Sequence, residues 1–341
     1  MLDINLPAFR PRPPWLTGDL QTLRNPLIGK APDLSPWPAE RLRIETEDAS
    51  GDTLLATLHR QQGGAGEAVA VIIHGLAGCE DSLYVMRTAR DLLHAGWSVM
   101  RVNLRGAGPS RPLCRENFNA GRTGDIRLFI DYARERLGFQ QVIPIGFSLG
   151  GNAVLKLLGE YGGRAPARGV PAAISVSAPI DLAATSRRVL APRNWIYQRY
   201  ILQHMKRGVL ATPGLSAAMR QAIRGVPNVW RFDDVFTAPS GGYADAAEYY
   251  ARNSAMHFLP RIEVPALIIH ARDDPWIPVE SYDRFDWAGN KNLIPALTRG
   301  GGHLGFHDRD HGLWHDMAAR RFLAALQAAP SASHAAAMGA A

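Results

Sequence analysis

Three residue types that together can carry acyl transfer occur along this chain in the order Ser, Asp, His. Ser148 is the centre of Gly146-Phe147-Ser148-Leu149-Gly150, a G-x-S-x-G pentapeptide preceded by an apolar run (residues 142–145) and followed by an apolar helical pattern (residues 153–158). Taken alone, such a pentapeptide is also an ordinary glycine-rich turn. With a strand before it and a helix after it, the spacing has a steric purpose: the serine sits on a strained corner, and the glycines let strand and helix pass without a Cβ clash.

The other two groups come late. Asp273 and Asp274 follow an apolar run over residues 264–270, and either carboxylate can orient an imidazole. Asp274 is favoured because it precedes the Ile277-Pro278 pair by three residues, as in comparable loops, with Asp273 left as a loop cap. His303 lies in Gly300-Gly301-Gly302-His303-Leu304-Gly305, a loop free enough to turn an imidazole back over a sheet. The expected chemistry is attack by Ser148 on an acyl carbonyl, with His303 as general base and Asp274 as its orienting acid. An oxyanion then needs donors. They are expected from the backbone N–H groups of Leu149, next to the serine, and Leu76, in His74-Gly75-Leu76-Ala77-Gly78.

These groups need a scaffold. Residues 42–46 and 53–59 alternate as a strand pair around Ser50-Gly51-Asp52, and residues 69–73 form a continuous β-branched run, the pattern of a strand buried on both faces. Further strands are expected at 97–103, 172–177, 264–270 and 292–297, and helices at 84–94, 124–137 and 313–326. That alternation predicts an α/β fold with a mainly parallel sheet covered by helices on both faces. Residues 1–40, rich in Pro and Trp without periodicity, read as an ordered arm packed on the core, neither strand nor helix. Residues 41–180 and 263–327 form the core. Between 181 and 262 the rhythm stops, and helical stretches at 195–207, 215–223 and 244–251 predict a helical lid. Its aromatic residues (Trp195, Tyr197, Tyr200, Trp230, Phe232, Phe236) are expected mostly to form the lid's own small core. A glycine-rich loop is expected over 61–67, and a disordered Ala/Ser tail over 328–341.

Composition bounds the rest. The 341 residues are 46% hydrophobic and 20% charged, ordinary for a globular chain. The first residues carry no basic stretch followed by an apolar one, and no apolar run approaches a bilayer-spanning length, so a cytoplasmic protein is expected. Cys79 and Cys114 are too few for a disulfide framework. Residues 183–261 hold eleven basic and four acidic side chains, a net of +7, leaving 27 of each sign elsewhere. The whole excess therefore lies on the expected lid, which suits peripheral contact with anionic lipid. No nucleic-acid motif accompanies it, so no nucleic-acid partner is expected.

His303, His307, His311 and His315 recur every four residues, a spacing that would align a metal site on a helix. The surrounding glycines argue against a helix there, and no metal or cofactor is expected. His303 and Asp308 also fit a loose H-x-x-x-x-D pattern associated with acyl transfer.

With these motifs in view the chain resembles the α/β-hydrolases, and within them the YheT-like branch. The matching stretches are residues 14–22 (PWLTGDLQT), 74–78 (HGLAG), 96–106 (GWSVMRVNLRG), 146–152 (GFSLGGN), 273–275 (DDP) and 302–306 (GHLGF). The resemblance implies a serine hydrolase of acyl esters, in some members lipid esters, with Ser148, Asp274 and His303 as its triad. Two positions depart from the pattern: Asp19 stands where His is frequent, and Cys79 where Ser is usual. Transfer of the acyl group to an alcohol or lysolipid, or service as a non-catalytic binding scaffold, are the alternatives.

Overall fold

Runs of β-branched and other apolar residues form the centre of one sheet. The computed structural model describes residues 2, 4–61 and 67–328. It has strands β1 (Glu40–Glu45), β2 (Thr53–His59), β3 (Ala68–Ile73), β4 (Ser98–Val102), β5 (Gln141–Phe147), β6 (Ala173–Val176), β7 (Ala266–Ala271) and β8 (Leu293–Thr298). They lie in the order β1-β2-β4-β3-β5-β6-β7-β8. β2 runs antiparallel to β1 and β4, while β4, β3, β5, β6, β7 and β8 are mutually parallel.

Every residue of β3 is buried, because the two-residue side-chain period sends alternate positions into two separate cores. Val69, Val71 and Ile73 pack on one face beneath helices α3 (Thr123–Glu135) and α4 (Leu149–Tyr161). Ala70 and Ile72 pack on the other beneath α2 (Leu83–His94) and α12 (Trp314–Ala328). The mainly parallel sheet with helices on both faces is thus present.

One region differs from expectation. The arm contains a helix, α1 (Gly18–Ile28), where neither strand nor helix was expected. Thr17 caps it by accepting from Leu20 N–H, and Pro26 interrupts its last turns. Its conformation is held by contacts with distant loops, so no apolar period marks it. The four late histidines do not share a helix: His307 lies in a short strand, β9 (His307–Asp308), paired with β10 (Gly312–Leu313), and His315 begins α12. Among the described residues no group of three or more His, Cys, Asp or Glu side chains is arranged to hold a metal.

Between β6 and β7 the chain forms α5 (Leu182–Leu190), α6 (Trp195–Leu210), α7 (Ala217–Gly225), α8 (Val229–Phe232), α9 (Ala238–Ser240) and α10 (Ala246–Asn253). A π-helical turn, Asp233–Thr237, joins α8 to α9. Met205, Val209, Ile223, Phe232 and Phe236 form a core belonging to this segment. Trp195 and Tyr200, by contrast, are exposed, and Tyr197 turns toward Trp276. A short helix, α11 (Glu280–Asp283), follows β7. Positions 62–66 of the expected glycine-rich loop and 329–341 of the expected tail lie outside the described residues. No described helix is long and apolar enough to cross a membrane.

Candidate active site

β5 ends at Phe147 and α4 begins at Leu149, so one residue makes the whole turn. Ser148 has φ +51° and ψ −122°, a conformation that L-residues rarely adopt and that neighbouring structure must impose. The flanking glycines allow that closeness. A Cβ on Gly146 would stand 2.5 Å from the carbonyl oxygen of Gly150, and a Cβ on Gly150 would stand 2.4 Å from the carbonyl oxygen of His74.

The structure brings Ser148, His303 and Asp274 into one line. Ser148 Oγ lies 3.1 Å from His303 Nε2, and His303 Nδ1 lies 2.9 Å from Asp274 Oδ2. Asp274 is buried, and its other oxygen accepts from the N–H groups of Trp276 (2.8 Å) and Ile277 (3.0 Å). Burial alone would raise its pKa. The charge and hydrogen bond of His303, helped by the backbone donors, outweigh burial and hold the carboxyl below its ordinary value. Asp273 does something else: its Oδ1 accepts from Gly302 N–H at 2.8 Å, tying its own loop to the histidine loop.

Two backbone donors face the same region. Gly75 N–H donates to Tyr84 Oη at 2.9 Å, which leaves the next amide, that of Leu76, without a protein acceptor among the described residues. Leu149 N–H opens α4 and likewise has none there. His74 fixes the loop beneath. Buried and with its pKa lowered to about 4, chiefly by that burial, it bonds Gly75 O through Nδ1 and accepts Leu104 N–H through Nε2.

Residues outside the Ser, Asp and His motifs support this site, several of them from the 14–22 stretch. Thr22 Oγ1 accepts from His303 N–H at 2.8 Å, and Gln21 bonds His307 in both directions, through Nε2 to its carbonyl and Oε1 from its N–H. Thus α1 holds the histidine loop. Asp19, on the same helix, accepts from Tyr197 Oη at 2.9 Å and pairs with Arg193 at 2.8 Å, joining α1 to α6. Trp276 packs against the His303 ring with 4.2 Å between centroids. Cys79 N–H donates to Ser82 Oγ, and a Cβ on Gly108 would stand 2.6 Å from the Cys79 Cβ, so the thiol packs beside the 105–110 loop.

Ser148, His303, Leu76 and Leu149 open onto a cavity of about 810 Å³. Much of its wall is apolar and comes from the segment between β6 and β7, including Ile201, Met205, Val209, Phe232 and Phe236. A hydroxyl, an imidazole and an ionised carboxylate in sequence, with two free amides and an apolar chamber, can perform nucleophilic acyl transfer.

The comparisons with known proteins agree with this architecture. The sequence profile of the alpha/beta hydrolase fold family matches residues 69–310. The chain is 34% identical over 244 residues to the "Putative esterase YheT" of Escherichia coli (strain K12), with 69% of each chain covered. It is 29% identical over 283 residues to the "Medium-chain fatty acid ethyl ester synthase/esterase 2" of Saccharomyces cerevisiae, covering 74% of this chain and 61% of that protein. It is 29% identical over 268 residues to the "Monoacylglycerol lipase" of the same yeast, covering 74% and 58%. The match therefore spans less than two thirds of either yeast protein. Among solved structures, the Pyrococcus furiosus esterase Pf2001 superposes with a TM-score of 0.56 at 16% identity, over 94% of this chain and 97% of that one, a likeness of fold.

Proposed function

The chain belongs to the α/β-hydrolase family, in its YheT-like branch, and on that premise we propose that it is a serine esterase that cleaves carboxylic acyl esters. The observation that carries the reading is the line from Ser148 Oγ through His303 to Asp274, at 3.1 and 2.9 Å, opening on the apolar cavity. Esterase and lipase names among the relatives support it.

In this reading His303 Nε2 takes the Ser148 proton as the hydroxyl oxygen attacks the ester carbonyl. Asp274, already ionised and anchored by two amides, keeps the Nδ1 proton in place and offsets the imidazolium charge. The amides of Leu76 and Leu149 hold the oxyanion, where one such donor is typically worth about 10²–10³ in kcat. His303 then returns its proton to the departing alkoxide, leaving the acyl group on Ser148. Water, deprotonated by His303, attacks that acyl group, and His303 returns the proton to the Ser148 oxygen as the acid leaves. Each step uses this chain's own side chains, its backbone and water. The helices between β6 and β7 act as a lid over the acyl-binding cavity.

Transfer of the acyl group to an alcohol is the second reading. It is favoured by the yeast relative whose name joins synthase to esterase. Hydrolysis of an acyl-ester series from short to long chains, with and without an alcohol acceptor, tests both. Release of free acid at a rate the alcohol leaves unchanged supports the esterase, and a new ester formed at the expense of acid supports transfer. No turnover across the series overturns both.

A further inference from the structure

Away from Ser148 and His303, one polar stretch of the cavity wall is built from three helical elements between β6 and β7. Asp233 lines it with only 6% of its surface exposed. The Tyr250 hydroxyl donates to Asp233 Oδ2 at 2.5 Å and lies 3.2 Å from Ser186 Oγ, with Thr237 nearby on the same turn. Among the described residues Asp233 has no ion-pair partner. Burial, with the neighbouring Asp234 adding to it, pushes its pKa up to about 6, against the lowering by the hydroxyls of Tyr250 and Thr237. An acid held this way in a chamber that otherwise suits acyl chains weakens a purely apolar binding site.

One more polar group on the same wall has unused hydrogen-bonding capacity among the described residues. Tyr249 Oη accepts from Ala120 N–H at 2.9 Å, and there its own proton has no acceptor. Tyr249 and Tyr250 pack in one cluster with Leu149, the residue after Ser148, so this wall adjoins the nucleophile. Asp233 opens the π-helical turn of the lid, an irregularity that occurs disproportionately at functional sites.

Together the wall offers an acceptor in Asp233 and a donor in Tyr249. A hydroxyl group, which both donates and accepts, satisfies both. An ammonium would satisfy only the carboxylate and would sit within a lid carrying a net of +7 over residues 183–261. We propose that Asp233 and Tyr249 form a subsite for a hydroxyl group of the ester substrate, carried either on its alcohol half or along its acyl chain. The inference rests on the esterase reading and adds the substrate chemistry.

The test uses two matched pairs. One is a glycerol ester against the propyl ester of the same fatty acid. The other is the ethyl ester of a mid-chain hydroxy acid against that of the parent acid. In one pair, kcat/KM for the hydroxylated ester should exceed its counterpart roughly tenfold or more, the scale of one hydrogen bond to a charged group. The pair that responds identifies which half carries the hydroxyl. Asp233→Asn and Tyr249→Phe should each draw that ratio toward one, an effect that a general loss of folded enzyme cannot produce because it lowers both substrates alike. Ratios near one in both pairs for the unaltered protein, or a preference kept by both variants, would overturn the subsite while leaving the esterase standing. No turnover of any of the four esters would overturn the esterase reading, and the subsite with it.

Discussion

Thr22 and His303, 281 positions apart in sequence, share a hydrogen bond: the His303 N–H donates to Thr22 Oγ1 at 2.8 Å, with both residues buried. The proposed general base is therefore held from behind by the N-terminal helix. Around it the loop takes positive φ at Gly301, Gly302, Leu304 and Phe306, so its shape depends on what surrounds it.

Thr22→Val keeps the shape of the side chain and leaves the His303 N–H buried without an acceptor, a loss of about 1–3 kcal/mol. Slackening of the loop should lower kcat roughly tenfold with little change in KM, because the near-isosteric change scarcely alters the cavity wall that Thr22 contributes to, while the base is displaced. Steady-state kinetics on one soluble ester checks this. An unchanged kcat in a folded variant would mean that α1 does not position the base.

Asp274→Asn should lose about 10⁴ in kcat, the loss seen when the same change forces the wrong imidazole tautomer in serine proteases. Asp273→Asn keeps an oxygen able to accept the Gly302 N–H and should lose little. Comparing the two variants under identical conditions decides the assignment, and the reverse ranking would transfer the orienting role to Asp273.

How far the sequence foretold this differs by element. β3 and β5 were legible because a strand buried on both faces needs a continuous apolar run, and residues 69–73 and 142–145 supply one. The turn at Ser148 was legible because close packing of strand and helix demands glycine at 146 and 150. Helix α1 was not. Its buried face, with Gln21 and Thr22, is polar and answers a loop 281 to 286 residues away, which no local period records. The same holds for Asp233, which acquires its surroundings only where α5, α10 and the π-turn meet. Asp19 was noticed as a departure from the family pattern, but its tie to Tyr197 and Arg193 becomes visible only once α1 and α6 are adjacent.

Cys79→Ser should keep most activity. The thiol packs beside Gly108, and its residue is not among those lining the cavity. A bulky thiol reagent at Cys79 should inhibit by crowding the loop that carries Leu76. Ester turnover before and after modification, with the serine variant as the unreactive control, separates the two effects. A folded but inactive Cys79→Ser would assign this position a direct role.

The surplus charge of residues 183–261 has an apolar companion. Trp195, Ile196 and Tyr200 on α6 are exposed, as are Leu20, Leu27 and Ile28 on α1, and Arg193 and Arg199 accompany them. An apolar surface with basic neighbours beside a cavity mouth suits an anionic lipid surface, and the electrostatic part should fade as salt shortens the Debye length to about 10 Å at 0.1 M. Co-sedimentation should recover more protein on anionic than on neutral vesicles, with the difference shrinking at high salt. Equal recovery on both, or none on either, would leave the charge without a role in lipid contact.

The central claim is that Ser148 is the nucleophile, and covalent capture tests it most directly. A fluorophosphonate probe should label the protein with one equivalent, peptide mapping should locate the adduct on Ser148, and Ser148→Ala should abolish both labelling and ester hydrolysis. An adduct on another serine, or undiminished turnover by folded Ser148→Ala, would contradict the account.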